Sequence, residues 1–99
     1  TDHAPHSAEE KADFEKAPNG VVGLETSLAA KLTKLYHSGK CGLNKIAEIM
    51  SVNPRKIMGL EPIKIAVGER CDLCIFDPDY EWEVIPAELN SKAQGSKAR

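Results

Sequence analysis

The sequence lacks two features that would point to large charged or lipid partners. No apolar run approaches the roughly 20 residues that a membrane-spanning helix needs. Charge of one sign is not in excess either: 13 basic and 15 acidic residues are interspersed, for a formal net charge of −2. Nucleic acids and anionic membranes are bound by basic surfaces. We therefore expect neither a nucleic-acid partner nor a membrane partner.

Cysteine is also scarce, with three residues in 99. A disulfide framework favours an even number at higher density, so free thiols in a reducing, cytoplasmic compartment are the simpler interpretation. Cys71 and Cys74 form a C-x-x-C, but no second such pair or histidine pair follows at zinc-finger spacing. They lie in CDLCIFD, which is typical of a strand, where side chains three apart point to opposite faces. This predicts two buried small residues rather than a metal site.

Helical patterns occupy the first 60 residues, within a length that allows one domain at most. Ser7 and Glu10 have the spacing of a capping box, which predicts a short helix through Phe14. Leucines at helical spacing predict a helix from Gly23 that ends near Gly39. A second helix is predicted from Leu43 to Met50, with Asn44 helping to cap it. A third is predicted after Asn53 as N-cap, with Pro54 in the first helical position and Gly59 closing its end.

After Leu60 the hydrophobic period changes from about 3.6 to 2. Residues 63–67, 73–76 and 81–84 alternate apolar and polar side chains or read as buried strands. This pattern predicts an antiparallel sheet with one face in water. The leucine face of the first helix needs a partner that this chain barely supplies, which suggests that the chain is part of something larger.

The opening segment TDHAPHS concentrates chemically active side chains. A carboxylate such as Asp2 can ligate a metal ion or act as a general base. Histidines such as His3 and His6 can ligate, move protons, or donate hydrogen bonds to an anionic substrate. The alternative is a polar, irregular terminus without a role. A chain that begins with such residues also suggests a piece of a larger protein.

Five motifs carry a resemblance to a known family. They are TDHAPHSxEEK, APxG, GLET, MSxNPxKIxGL and VGxxxDLxIFDPxxxWxV. Together they resemble the C-terminal part of the dihydroorotases, of the bacterial type within the amidohydrolase superfamily. The resemblance runs from Thr1 to about Lys92, and the last residues depart from it.

The resemblance implies an α/β fold, in which the chain forms the C-terminal part of a (β/α)8 barrel followed by strands of a small β-sandwich. Residues 1–60 would hold the end of the last barrel strand, the substrate loop and the terminal helices. Residues 61–92 would be the C-terminal share of the sandwich, and residues 93–99 a disordered tail. Asp2 would lie at the C-terminal end of the eighth strand, where catalytic residues of barrels gather.

The same resemblance implies an activity and a site. The family interconverts N-carbamoyl-L-aspartate and L-dihydroorotate in pyrimidine biosynthesis, with one or two zinc ions. By resemblance, Asp2 ligates a zinc ion and relays the proton from the attacking hydroxide to the leaving amide nitrogen. His6 would hold the substrate carboxylate, while Asn19 and Gly20 contact the substrate, Gly20 through its backbone N–H. We interpret His3 as supporting structure.

Other parts of the expected metal site are missing from this sequence. The family's H-x-H, its bridging carboxylate and two later histidines are not found, so we expect the isolated chain to be inactive. The parent protein could be a homodimer or a complex with aspartate transcarbamoylase. Two alternatives stay open. One is a non-catalytic dihydroorotase-like scaffold for that transcarbamoylase, against which intact Asp2 and His6 argue. The other is a hydantoinase- or allantoinase-type enzyme, whose substrate would not require a donor at His6.

Overall fold

The fold is that of a computed structural model, which describes residues 1–91. Its helical elements are short. In chain order they are helix α1 (Ser27–Lys31), a π-helical turn (Leu32–Tyr36), helix α2 (Leu43–Ala47), a second π-helical turn (Glu48–Val52), helix α3 (Asn53–Ile57) and a 3-10 turn (Pro86–Glu88). Two compact units form, one from Thr1–Ala30 with residues 81–91, the other from Lys31–Tyr80. The predicted disordered tail, residues 93–99, and Lys92 lie outside the described residues.

The first unit begins with loops rather than with a helix. Val22 and Leu89 are its buried apolar side chains, with 4% and 8% of their surface exposed. The Ser7–Glu10 capping box forms reciprocally: the Ser7 N–H donates to Glu10 Oε2 at 2.9 Å, and the Glu10 N–H donates to Ser7 Oγ at 3.2 Å. The predicted helix does not follow, because residues 8–16 form successive turns. So short a segment gains too few hydrogen bonds to offset the cost of helix nucleation.

Helix α1 begins later than its leucine pattern predicts. The Ser27 N–H donates to the Leu24 carbonyl at 3.3 Å, so the residues after Gly23 form a turn instead of the first helical residues. Leu24 is consequently 62% exposed, whereas Leu32 is buried at 6%. The predicted end is confirmed, since Gly39 has φ of 73°, a conformation that glycine adopts without strain.

In the second unit, residues 43–57 are helical without a break. Ile46 is its most buried apolar side chain, at 2% exposure. The prediction that Asn53 is an N-cap is wrong: Asn53 itself is helical (φ −65°, ψ −45°), and its side-chain amide donates to Glu48 Oε1 at 3.4 Å. The preceding turn is already helical, so no free N-terminus exists there to be capped. Gly59, with φ of 66°, ends the helical stretch as predicted.

The predicted strands do not form within residues 1–91. Residues 63–67, 73–76 and 81–84 have no regular secondary structure, and their side chains are exposed. A strand exists only through hydrogen bonds to a neighbouring strand, and these segments do not pair with one another. The barrel and sandwich therefore stay a prediction. Among the described helices, none is long and apolar enough to cross a membrane.

Candidate functional site

Two segments distant in sequence lie side by side at the candidate site. We call residues 1–7 the opening segment and residues 19–23 the substrate loop. The Ala4 N–H donates to the Val21 carbonyl at 3.0 Å, within an isolated parallel bridge between His3 and Val21. The Gly23 N–H donates to His3 Nδ1, also at 3.0 Å. Backbone and imidazole contacts thus hold the loop against the opening segment.

The structure brings together three of the predicted site residues, His6, Asn19 and Gly20. His6 Nε2 lies 3.2 Å from the Asn19 carbonyl oxygen. A carbonyl oxygen can only accept, so Nε2 carries the proton. The imidazole of His6 therefore presents an N–H toward the substrate loop, where a carboxylate of a substrate could compete for it.

Gly20 explains how the loop approaches so closely. Its φ is +135°, and a Cβ built on it would lie 2.7 Å from both the Cβ and the carbonyl oxygen of Ala4. The same Cβ would lie 3.1 Å from His6 Nε2. A side chain at this position would have to displace backbone atoms. Only glycine fits both the conformation and the space.

A carboxylate faces the other ring nitrogen of His6. Glu10 Oε2 lies 3.4 Å from His6 Nδ1, and the same oxygen accepts the Ser7 N–H. The pKa of Glu10 is lowered, chiefly by that backbone hydrogen bond; burial opposes the shift, and the contacts with His6 add a smaller lowering. The Asn19 carbonyl and the Glu10 carboxylate thus flank the two ring nitrogens of His6.

The structure leaves Asp2 apart from this cluster. Asp2 is exposed and has φ of 49°, an uncommon conformation for a residue with a side chain. Within residues 1–91, no group of three or more His, Cys, Asp or Glu side chains could hold a metal ion. Asp2 can supply one carboxylate ligand, but the described residues do not fit a complete metal centre.

His3 has a structural role in this arrangement. Its Nδ1 accepts the Gly23 N–H, so that nitrogen is unprotonated and occupied by the substrate loop. The geometry agrees with our interpretation of His3 as a supporting residue.

The prediction of two buried cysteines is wrong for the described structure. Cys71 and Cys74 are both exposed free thiols, whereas Cys41 is partly buried. The prediction assumed a paired strand that would cover them, and that strand does not form within residues 1–91.

Glu25 and Asn90 form a contact that the sequence did not reveal. Glu25 Oε1 accepts the backbone N–H of Asn90, and Glu25 Oε2 accepts its side-chain N–H, both at 2.9 Å. Glu25 lies in the GLET motif, but nothing in that motif names a partner 65 residues away. Only the folded chain joins the two.

Comparison with known proteins finds sequences similar to this chain among the dihydroorotases. The chain is 47% identical to a dihydroorotase of Geobacter sp. (strain M21), 48% to one of Clostridioides difficile (strain 630) and 43% to one of Chlorobaculum tepidum. Each match covers 97% of this chain. No family model and no solved structure matches the chain.

The matched relatives are much longer than this chain, which spans 23%, 23% and 22% of their lengths, respectively. The resemblance that the motifs indicated is nevertheless confirmed: the chain matches the C-terminal region of the dihydroorotases.

Proposed function

We propose that this chain is the C-terminal part of a dihydroorotase, which interconverts N-carbamoyl-L-aspartate and L-dihydroorotate in de novo pyrimidine biosynthesis. The observation that carries the proposal is the 47% identity to a dihydroorotase over 97% of the chain. In this proposal the full-length protein catalyses the reaction, and the isolated 99-residue chain does not. The geometry of the opening segment and substrate loop supports this assignment.

The clustered residues suit recognition of a small anionic substrate. The His6 Nε2–H would leave the Asn19 carbonyl and donate to the substrate carboxylate in a charge-assisted hydrogen bond. Asn19 and Gly20 would contact the rest of the substrate, since a residue without a side chain leaves its backbone N–H open to close approach.

Asp2 would transfer the proton of the attacking water. A carboxylate can accept a proton from the attacking water and then donate it to the leaving amide nitrogen. We propose that Asp2 is also one ligand of a metal centre, with one or two zinc ions, in the full-length protein. The described residues do not complete that centre, so no step of the reaction is assigned to it.

The exposed apolar segments support the proposed architecture. Residues 63–67 and 81–84 alternate in polarity, and residues 73–76 are apolar throughout. All three segments are exposed, as strands would be if their neighbours came from the remainder of the protein. We propose that they join a small sandwich beside a (β/α)8 barrel. A cytoplasmic location, and a homodimer or a complex with aspartate transcarbamoylase, are proposals that rest on the same sequence relationship.

The test is an assay of the full-length protein for formation of L-dihydroorotate from N-carbamoyl-L-aspartate. We expect turnover by the full-length wild type and no turnover by the 99-residue chain. Asp2→Asn should lower kcat by about 10²–10⁴-fold, the range of general acid–base catalysis. The matched control is Asp79→Asn, an exposed aspartate in the second unit, which should keep wild-type turnover. An inactive wild type, or an Asp2→Asn variant as active as the control, would refute the proposal.

A further inference from the structure

The Glu25–Asn90 contact joins the end of the described chain to the residues that follow the substrate loop. Both oxygens of the Glu25 carboxylate are engaged, one by the Asn90 backbone N–H and one by its side-chain amide. A carboxylate that accepts two N–H groups of one residue fixes both the distance and the orientation of that residue. We call this pair the clamp.

Each residue of the clamp lies close in sequence to a buried apolar side chain of the first unit. On one side, Val22, within the substrate loop, precedes Glu25 by three positions and is 4% exposed. On the other side, Leu89 directly precedes Asn90 and is 8% exposed. A shift of Glu25 or Asn90 would therefore also shift the backbone near the buried Val22 or Leu89.

The substrate loop is also held from its other flank. His3 accepts the Gly23 N–H, and the Ala4 N–H donates to Val21. Those contacts align the loop with the opening segment, and the chain then turns toward helix α1. Glu25 lies in that turn, before Ser27.

We propose that Glu25 and Asn90 are positioning residues, which set the substrate loop and its Asn19 and Gly20 for substrate binding without touching the substrate. The proposal rests on the proposed dihydroorotase function. Both residues are exposed, and exposed charge-assisted contacts contribute little to global stability. The effect of the clamp is therefore on loop geometry, and hence on KM.

The chain allows an exchange of donor and acceptor that tests this pairing in the full-length protein. Asn90→Asp places two carboxylates against each other and should open the clamp. Adding Glu25→Gln lets the Gln carbonyl keep the backbone N–H while its amide donates to the new carboxylate. Asn90→Ala is a milder variant, because it retains the backbone N–H. Glu69→Gln, an exposed glutamate of the second unit, controls for loss of a negative charge.

We expect Asn90→Asp to raise KM for N-carbamoyl-L-aspartate by about tenfold while kcat stays within about twofold, as for loss of uniform binding. The double variant should return KM to within about threefold of the wild type, and Asn90→Ala should fall between. Glu69→Gln should match the wild type. If the contact only stabilised the fold, its loss in Asn90→Asp would lower the unfolding temperature without raising KM. The double variant would then have no change in KM to reverse.

Hydrogen exchange at residues 19–23 of the same proteins provides a readout that does not depend on turnover. We expect faster exchange in Asn90→Asp and recovery in the double variant. Unchanged KM in an active Asn90→Asp protein, or no recovery in the double variant, would overturn the clamp. If the wild type is inactive, the proposed function fails instead, and unchanged exchange at residues 19–23 would then overturn the clamp separately.

Discussion

Two regions of the molecule differ in whether their groups find partners within the chain: residues 1–23 and residues 61–85. In the first region, distant backbone and imidazole groups pair with each other, as at Ala4–Val21 and His3–Gly23. In the second, large apolar side chains remain in water: Ile65 is 88% exposed and Ile75 is 93% exposed. A polar loop can satisfy itself within a short segment, whereas an alternating apolar segment needs a second surface.

This difference separates what the chain can organise alone from what it needs the remainder of the protein to complete. Hydrogen bonds within the first 23 residues align the substrate loop with the opening segment. The segments after Glu61 carry the information for a sheet but not its other strands.

The largest expected effect comes from Gly20→Ala, which should break the self-sufficient region. Its Cβ would meet two atoms of Ala4 at 2.7 Å, with φ at +135°. We expect the variant to lose about 3 kcal/mol in the free energy of unfolding, measured by urea denaturation of the full-length protein, together with substrate affinity.

Gly39→Ala is the matched control for Gly20. Its φ is also positive, at +73°, but a Cβ there would meet nothing within 4 Å. It should cost about 1 kcal/mol, from backbone strain alone. Equal losses for the two variants would show that close packing of the substrate loop does not matter.

The exposed region can be tested through its thiols. Cys71 and Cys74 are exposed in the described structure. If the segment CDLCIFD, residues 71–77, pairs as a strand that is buried on both faces in the full-length protein, both thiols should react with an aromatic disulfide reagent about 100-fold more slowly there than in the 99-residue chain, because buried groups react through local opening. The partly buried Cys41 provides the internal comparison. Equal rates at Cys71 and Cys74 in the two proteins would contradict strand pairing.

The smallest effect concerns the pH dependence of the opening segment. The pKa of Glu10 is lowered, chiefly by the Ser7 N–H. A lowered folded-state pKa contributes stability that is present above the ordinary value of 4.5 and is lost as the pH falls through the folded-state value. We expect Glu10→Gln to flatten this acid-side loss in thermal unfolding of the full-length protein, while Glu15→Gln keeps it. A wild-type slope in Glu10→Gln would disprove the assignment.

The sequence predicted best those features whose partners are neighbours. The Ser7–Glu10 pair and the ends at Gly39 and Gly59 follow from short-range rules, and the structure has all three. The failed cap at Asn53 shows the limit of such rules: whether a residue caps a helix depends on whether the preceding turn is already helical.

The candidate site was only partly accessible to sequence reasoning. The motifs named His6, Asn19 and Gly20, and the fold brings them together. The Glu25–Asn90 contact could not be predicted, because a glutamate and an asparagine 65 residues apart carry no periodic or spacing signal. The expected strands depend on pairing partners, so no pattern within these residues could establish them.

The segment between Glu61 and Pro78 in the second unit is hydrogen-bonded at both ends. Arg55 grips the Glu61 carbonyl oxygen through two N–H groups at 2.9 and 2.8 Å, and the His37 Nε2–H donates to the Pro78 carbonyl at 2.8 Å. Both ends of the segment are thus tethered to the helices of its own unit. These contacts close the loop, so part of its conformational entropy is lost before it pairs with another strand. A tethered loop searches a small volume, which raises its effective concentration toward any strand that it joins.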